Sequence, residues 1–225
     1  MKERVLEGDP AVANIRKYTA FSFMTPDDLQ GICWDGVTHL HTTGIPLALS
    51  PSCRQTVVAL MKEARRRGVS VSFDTNLRPM LWPDTETMAG IINDAAQYAD
   101  IVMPGLSEGK ILTGLDDEKA IARYYLERGA KLVVIKLGGS SGTYVADREG
   151  GQYVPSYRVD HVVDTVGAGD GFAVGFTSAW LEGLSMEEAA RRGAAVGAMV
   201  IQVAGDNEGL PTRAQLAEFQ HSAAE

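Results

Sequence analysis

The residue of this sequence best placed to do chemistry is an aspartate at the end of a glycine-rich turn. It is Asp170, in the run Asp164-Thr-Val-Gly-Ala-Gly-Asp-Gly-Phe172, between a strand pattern and a helical one. Gly167, Ala168 and Gly169 bring unobstructed backbone N–H groups to a helix start, where four donors lack intrahelical acceptors. Such a start holds a phosphate or a developing anion. A carboxylate directly beside it can take the proton of a substrate hydroxyl while the amides hold the phosphoryl group under attack. As a mere complement to the helix dipole, Asp170 would contribute ~0.3–1 kcal/mol. As a general base it would lower a barrier by about 3–5 kcal/mol. Flanking of the turn by Asp164 and Asp170 favours the catalytic role. A dinucleotide fingerprint is a poorer fit, because it occupies the first strand–helix unit and is followed about 20 residues later by a ribose-binding acid. Here the turn comes late.

The elements that must position this turn form an alternating pattern. Residues 37–43, 69–74, 101–103 and 131–136 read as strands, and 51–67, 85–98 and 116–128 as helices. Ser50 or Ser52 can cap the first helix, and Gly68 and Gly129 stop the first and third. This alternation implies a parallel sheet covered by helices on both faces. After Gly138 the pattern turns to short strands at 143–146, 152–155 and 158–163. Helices follow at 168–182 and 186–203, rich in small residues, and a last one begins after Pro211. Residues 2–16 alternate weakly around Gly8-Asp9-Pro10, like an exposed hairpin with little core of its own. The expected organisation is therefore a partial flap over residues 1–30 and one α/β domain over 31–225.

Composition narrows the function classes. The chain has 225 residues, 45% of them hydrophobic, enough for a sizeable core. Its net charge of −8 argues against a nucleic-acid or anionic-membrane surface, which needs clustered Lys and Arg. Arg65-Arg66-Arg67 sits at a helix end, where it offsets the dipole. Cys33 and Cys53 give no metal spacing or disulfide framework and read as buried free thiols, and His39, His41, His161 and His221 form no ligand cluster. No apolar run approaches the ~20 residues of a bilayer span and no signal pattern opens the chain, so a cytoplasmic setting is expected.

The run Asp164–Asp170 resembles the second signature of the PfkB carbohydrate kinases, and the likeness extends over essentially the whole chain in that family's order. It implies a ribokinase-like three-layer αβα fold with a mostly parallel central sheet. It also implies an anion hole at Gly167, Ala168 and Gly169, a catalytic base at Asp170 that also meets the substrate, and ATP as phosphoryl donor. Lys136-Leu-Gly-Gly-Ser-Ser-Gly142 resembles the family's nucleotide loop, which implies ATP contacts at Lys136, Gly138, Ser141 and Gly142, joined by Gly167 and Gly169. Read without the resemblance, the same loop is a strand–turn–strand whose glycines serve the turn. Mg²⁺ is expected because phosphoryl transfer needs charge neutralisation, held mainly by ATP and water; a monovalent cation is a further ion compatible with the family.

Ser72-Phe-Asp-Thr-Asn-Leu-Arg-Pro-Met-Leu-Trp82 and the tail Gly205-Asp-Asn-Glu-Gly209 resemble 2-keto-3-deoxygluconate kinases. That likeness implies that Asn76 and Arg78 face the sugar and phosphate. Asn14-Ile-Arg-Lys17 matches the flap segment with substrate contacts and adds Arg16. A guanidinium pair suits a sugar acid, whose carboxylate it meets bidentately. Fructokinase and 5-dehydro-2-deoxygluconokinase activities are the alternatives within the family, and an inert nucleotide-binding fragment is the alternative outside it. The chain departs from the family pattern in carrying Asn14 where an aromatic is common. It also has Gly105-Leu-Ser-Glu108 in place of Asn-x-x-Glu, which leaves Glu108 to order metal-bound water. Nothing matches the family's opening Gly-Gly…Asn signature. The expectation is a fold incomplete at its N-terminus, with an unpaired sheet edge open to homo-oligomer formation.

Overall fold

The computed structural model describes residues 16, 18–205 and 207–222, without the Ser140 side chain. The hairpin expected over 2–16 lies outside the described residues but for Arg16. The chain divides into two compact units.

The first unit comprises Arg16–Leu137 and Tyr144–Gln152. Its strands are β1 (His39–Thr43), β2 (Ser70–Asp74), β3 (Ile101–Val102) and β4 (Leu132–Lys136), each parallel to the next. β5 (Thr143–Ala146) and β6 (Gly151–Val154) complete a six-stranded sheet in the order β1-β2-β3-β4-β5-β6. Residues 147–150 make too short a link for anything but an antiparallel β5–β6 hairpin, so the sheet is mixed and mostly parallel. β2 and β4 are almost wholly buried (Val71, Phe73, Val133 and Ile135 are each 0% exposed), as expected of strands covered on both faces.

The helices of this unit are α1 (Ile45–Leu49), α2 (Pro51–Arg66), α3 (Thr85–Ala96), α4 (Leu106–Thr113) and α5 (Glu118–Glu127). Side-chain oxygens start three of them. Ser50 Oγ accepts the Cys53 N–H at 3.0 Å, Asp84 Oδ1 that of Thr87 at 2.6 Å, and Asp117 Oδ1 that of Ala120 at 2.8 Å. Helices α1 and α4 have no counterpart in the sequence pattern, being a single turn and two turns. Cys53 is buried as expected, whereas Cys33 is exposed; both thiols are free.

The second unit comprises Gly138–Thr143 and, from Tyr153 on, the rest of the chain. Its helices are α6 (Ala168–Leu181), α7 (Met186–Val200) and α8 (Arg213–Ser222). The small residues let α6 and α7 meet backbone to backbone. A Cβ on Gly175 would stand 2.7 Å from the Arg192 carbonyl oxygen and 2.9 Å from Gly193 Cα. Glu182 at the end of α6 accepts from Arg192 at 2.8 Å and Arg213 at 2.6 Å, tying α7 and α8 to it. The expected strand at 158–163 is irregular instead. The amides of Val163 and Asp164 both donate to the Ile201 carbonyl, at 2.8 and 3.2 Å, so this stretch is anchored on the end of α7 rather than on a strand partner.

Candidate functional site

In the second unit the glycine-rich turn opens α6. Gly167 is its N-cap, at φ 88°, a left-handed conformation that a side chain would disfavour. Asp164 shapes the approach by accepting the Val166 N–H on its carboxylate at 3.1 Å. Ala168 and Gly169 then begin the helix, whose first N–H groups have no acceptor within it. Asp170 lies in this first turn with an exposed side chain. The segment is not packed shut: residues 166–169 are all partly exposed. The arrangement is a helix start able to receive an anion, with a solvent-accessible carboxylate beside it.

The loop 138–142 belongs to the same unit. Gly138 and Ser141 are exposed, and Ser141 N–H closes a turn on the Gly138 carbonyl at 3.1 Å. Gly138 and Gly142 have φ of 83° and 79°. Gly142 is also confined by packing, since a Cβ there would sit 2.2 Å from the Val154 carbonyl oxygen. Its glycine therefore serves the backbone whatever else it serves.

In the first unit a second cluster occupies the carboxyl ends of β2, β3 and β4, the edge where open α/β sheets bind ligands. Asp74, the last residue of β2, is 2% exposed. Lys136, the last residue of β4, places Nζ 2.9 Å from both of its carboxylate oxygens. Burial pushes the Asp74 carboxyl above its ordinary range, and the Lys136 ammonium pulls against that. The Asn76 N–H donates to Asp74 Oδ1 at 3.3 Å, and Asn76 itself is left-handed at φ 38°.

Glu108, in the first turn of α4, holds the next part of this loop. Its Oε1 accepts the Leu77 N–H at 2.7 Å, and its Oε2 accepts from Thr75 Oγ1 and the Gly105 N–H, both at 2.8 Å. Arg78 is half-buried, with Nη1 donating to the Leu77 carbonyl at 2.8 Å. Arg16 Nε is buried with no hydrogen-bond partner among the described residues. Asn14 lies outside them.

The structure thus gathers Asn76, Arg78, Glu108 and Lys136 into one cluster, and Gly167, Ala168, Gly169 and Asp170 into one helix start. Two of these side chains are engaged within the chain. Lys136, expected at the nucleotide, has its ammonium on Asp74. Glu108, expected near metal-bound water, has both oxygens on the loop 75–77 and its own helix cap. Sequence reasoning missed Asp74 and Thr75 altogether; the available signal was a carboxylate at the end of a strand otherwise buried and apolar. Among the described residues there is no group of three or more His, Cys, Asp or Glu arranged to hold a metal ion. No described helix is long and apolar enough to cross a membrane.

Comparison with known proteins bears on the family and the fold. The 2-dehydro-3-deoxygluconokinase of Bacillus subtilis (strain 168) is 47% identical over 219 residues, covering 97% of this chain and 67% of that protein. The crystal structure of a PfkB protein from Polaromonas sp. JS666 superposes with a TM-score of 0.85 at 44% identity, covering 96% of this chain and 68% of that one. The fructokinase from Vibrio cholerae O395, in its fructose, ADP and calcium ion bound form, gives a TM-score of 0.81 at 27% identity, covering 90% of this chain and 66% of that one. The chain spans about two thirds or less of the length of the curated relatives it matches. The model of the pfkB family carbohydrate kinases matches residues 24–213, and with the ribokinase-like fold of these neighbours it establishes that this chain belongs to the pfkB family of carbohydrate kinases.

Proposed function

We propose that this chain transfers the γ-phosphoryl group of ATP to a hydroxyl of a keto-deoxy sugar acid, 2-keto-3-deoxygluconate being the best fit. One observation carries the reading: an exposed carboxylate, Asp170, sits in the first turn of a helix whose amides can receive an anion. Asp170 takes the proton of the attacking hydroxyl, and the N–H groups at Gly167–Gly169 stabilise charge on the transferring group. Gly138, Ser141 and Gly142 line the nucleotide. Arg78, with Arg16, orients the acid end of the sugar, and Asn76 contacts it.

The helix start fits a nucleotide's phosphates, since it presents backbone donors rather than side chains, and the glycine loop is exposed. Mg²⁺ fits as an ion carried on the nucleotide and completed by water, which is how it commonly binds at phosphoryl-transfer sites. Its chemistry there would be to offset charge on the phosphates.

The B. subtilis relative supports a sugar acid, and the fructose-bound neighbour marks the neutral-hexose alternative. A substrate panel of 2-keto-3-deoxygluconate, 5-dehydro-2-deoxygluconate and fructose, read as ADP release, separates them. Preference for 2-keto-3-deoxygluconate is expected. Preference for fructose would overturn the Arg assignment, and ATP binding without ADP release on any sugar would favour a nucleotide-binding role instead.

A further inference from the structure

We infer that Asp74 and Lys136 are a positioning pair, a buried ionic strap that holds the sugar-side loop 75–78 in its binding shape. The inference rests on the kinase reading above and assigns Lys136 to the sugar side rather than to the nucleotide.

The strap is defined by where it runs. β3 lies between β2 and β4, so the Lys136 side chain crosses the end of one strand to reach Asp74 on the next but one. The crossing is supported from below, because the Lys136 N–H donates to the Pro104 carbonyl at 2.9 Å. The Asp74 main chain is held too: its carbonyl accepts the Gly44 N–H at 2.9 Å. Gly44 packs so closely on the loop that a Cβ would fall 2.1 Å from the Thr75 carbonyl oxygen.

From that fixed point the loop enters an uncommon conformation. A non-glycine residue such as Asn76 at positive φ costs on the order of 1 kcal/mol or more, and persists where its surroundings over-determine it. Here the surroundings are the Asp74 carboxylate on one side and Glu108 on the other.

Stability alone does not account for the pair. A buried ion pair loses hydration on both partners, and apolar residues of similar volume are often as stable or more so. What the pair supplies, and an apolar pair would not, is a charged acceptor at the root of the loop with only one place to sit.

Two variants test this. Lys136→Met keeps an unbranched apolar stem and leaves Asp74 unpaired. Asp74→Leu with Lys136→Met replaces the whole pair by apolar groups and keeps the test open if the single variant fails to fold. The first readout is amide hydrogen exchange of residues 75–82 without ligand, and the second is KM for the sugar acid and for ATP separately. Both variants should exchange about tenfold faster in that segment, with sugar-acid KM up by about tenfold or more and ATP KM within about twofold. Native exchange with a raised ATP KM would overturn the strap and return Lys136 to the nucleotide. Native exchange and native sugar-acid KM in the double variant would also overturn it. If no sugar is phosphorylated by the parent chain, the kinase reading fails, and the exchange readout still decides the strap.

Discussion

Glu108 accepts the Leu77 N–H at 2.7 Å, which keys the first turn of α4 to the loop that follows β2. Its other oxygen serves Thr75 Oγ1 and the Gly105 amide. Removing the carboxylate strands three donors at a partly buried site, where each unsatisfied group costs about 1–3 kcal/mol. Glu108→Ala should therefore lower unfolding free energy by about 2–4 kcal/mol in urea titration, after partial rescue by water. Glu108→Gln should lose less, because one oxygen still accepts. A Glu108→Ala protein as stable as the parent would show that the clamp holds nothing.

Two glycine-to-alanine changes should move stability in opposite directions. On Gly175 a methyl group would press into the α7 backbone at Arg192 and Gly193, which cannot yield as a side-chain tip can. Gly175→Ala should cost about 1–3 kcal/mol. On α3, Gly90 is exposed and has open space where a Cβ would stand. Gly90→Ala should stabilise by about 0.4–1 kcal/mol, largely by restricting the unfolded chain. Thermal melts of the two variants beside the parent check both signs.

His39 should make the fold sensitive to mild acid. Its Nδ1 and Nε2 lie 2.6 and 2.8 Å from the Ser70 and Ser72 hydroxyls, and the Ser72 hydroxyl is 2.7 Å from His41 Nδ1 as well. Burial holds the His39 pKa below its ordinary 6.5, His41 lowers it further, and Asp100 opposes both. The unfolded chain therefore binds this proton more readily than the folded one. Stability from this residue is intact above pH 6.5 and declines as pH falls through 6.5 toward the lower folded value. For one proton the decline cannot exceed about 1.4 kcal/mol per pH unit. Urea titrations between pH 7.5 and 5 should show it, and His39→Gln should flatten the slope; an unchanged slope would contradict the assignment.

Arg78→Ala should raise sugar-acid KM by about tenfold to a hundredfold, the loss expected for a charge-assisted contact to a carboxylate. Arg78→Lys should restore only part of it, because an ammonium cannot make the planar two-point contact. Steady-state kinetics with a neutral hexose as control checks this; an equal loss on both sugars would place Arg78 in the loop's architecture instead.

The parts of this molecule written in local sequence were legible and the parts made by tertiary contact were not. Helix α2 starts at Pro51 with Ser50 as its cap and ends before Gly68, because capping and stop signals act within a few residues. The turn at Gly167–Asp170 is local in the same sense. The run 158–163 has strand-like residues, but at its end the amides of Val163 and Asp164 are claimed by Ile201, far along the chain. Lys136 could be placed at the end of a strand, yet its partner is 62 positions away, and no spacing rule links it to Asp74. Glu108 reads in sequence as an acid for metal-bound water, and its hold on Leu77 becomes visible only when β2 and β3 lie side by side.

The central claim is that Asp170 is the base, and Asp170→Asn tests it most directly. The substitution preserves shape and removes the proton acceptor. Turnover of the sugar acid should fall by about 10²–10⁴-fold while the ATP dissociation constant, measured by calorimetry, stays within about threefold. Turnover within about tenfold of the parent would contradict the account.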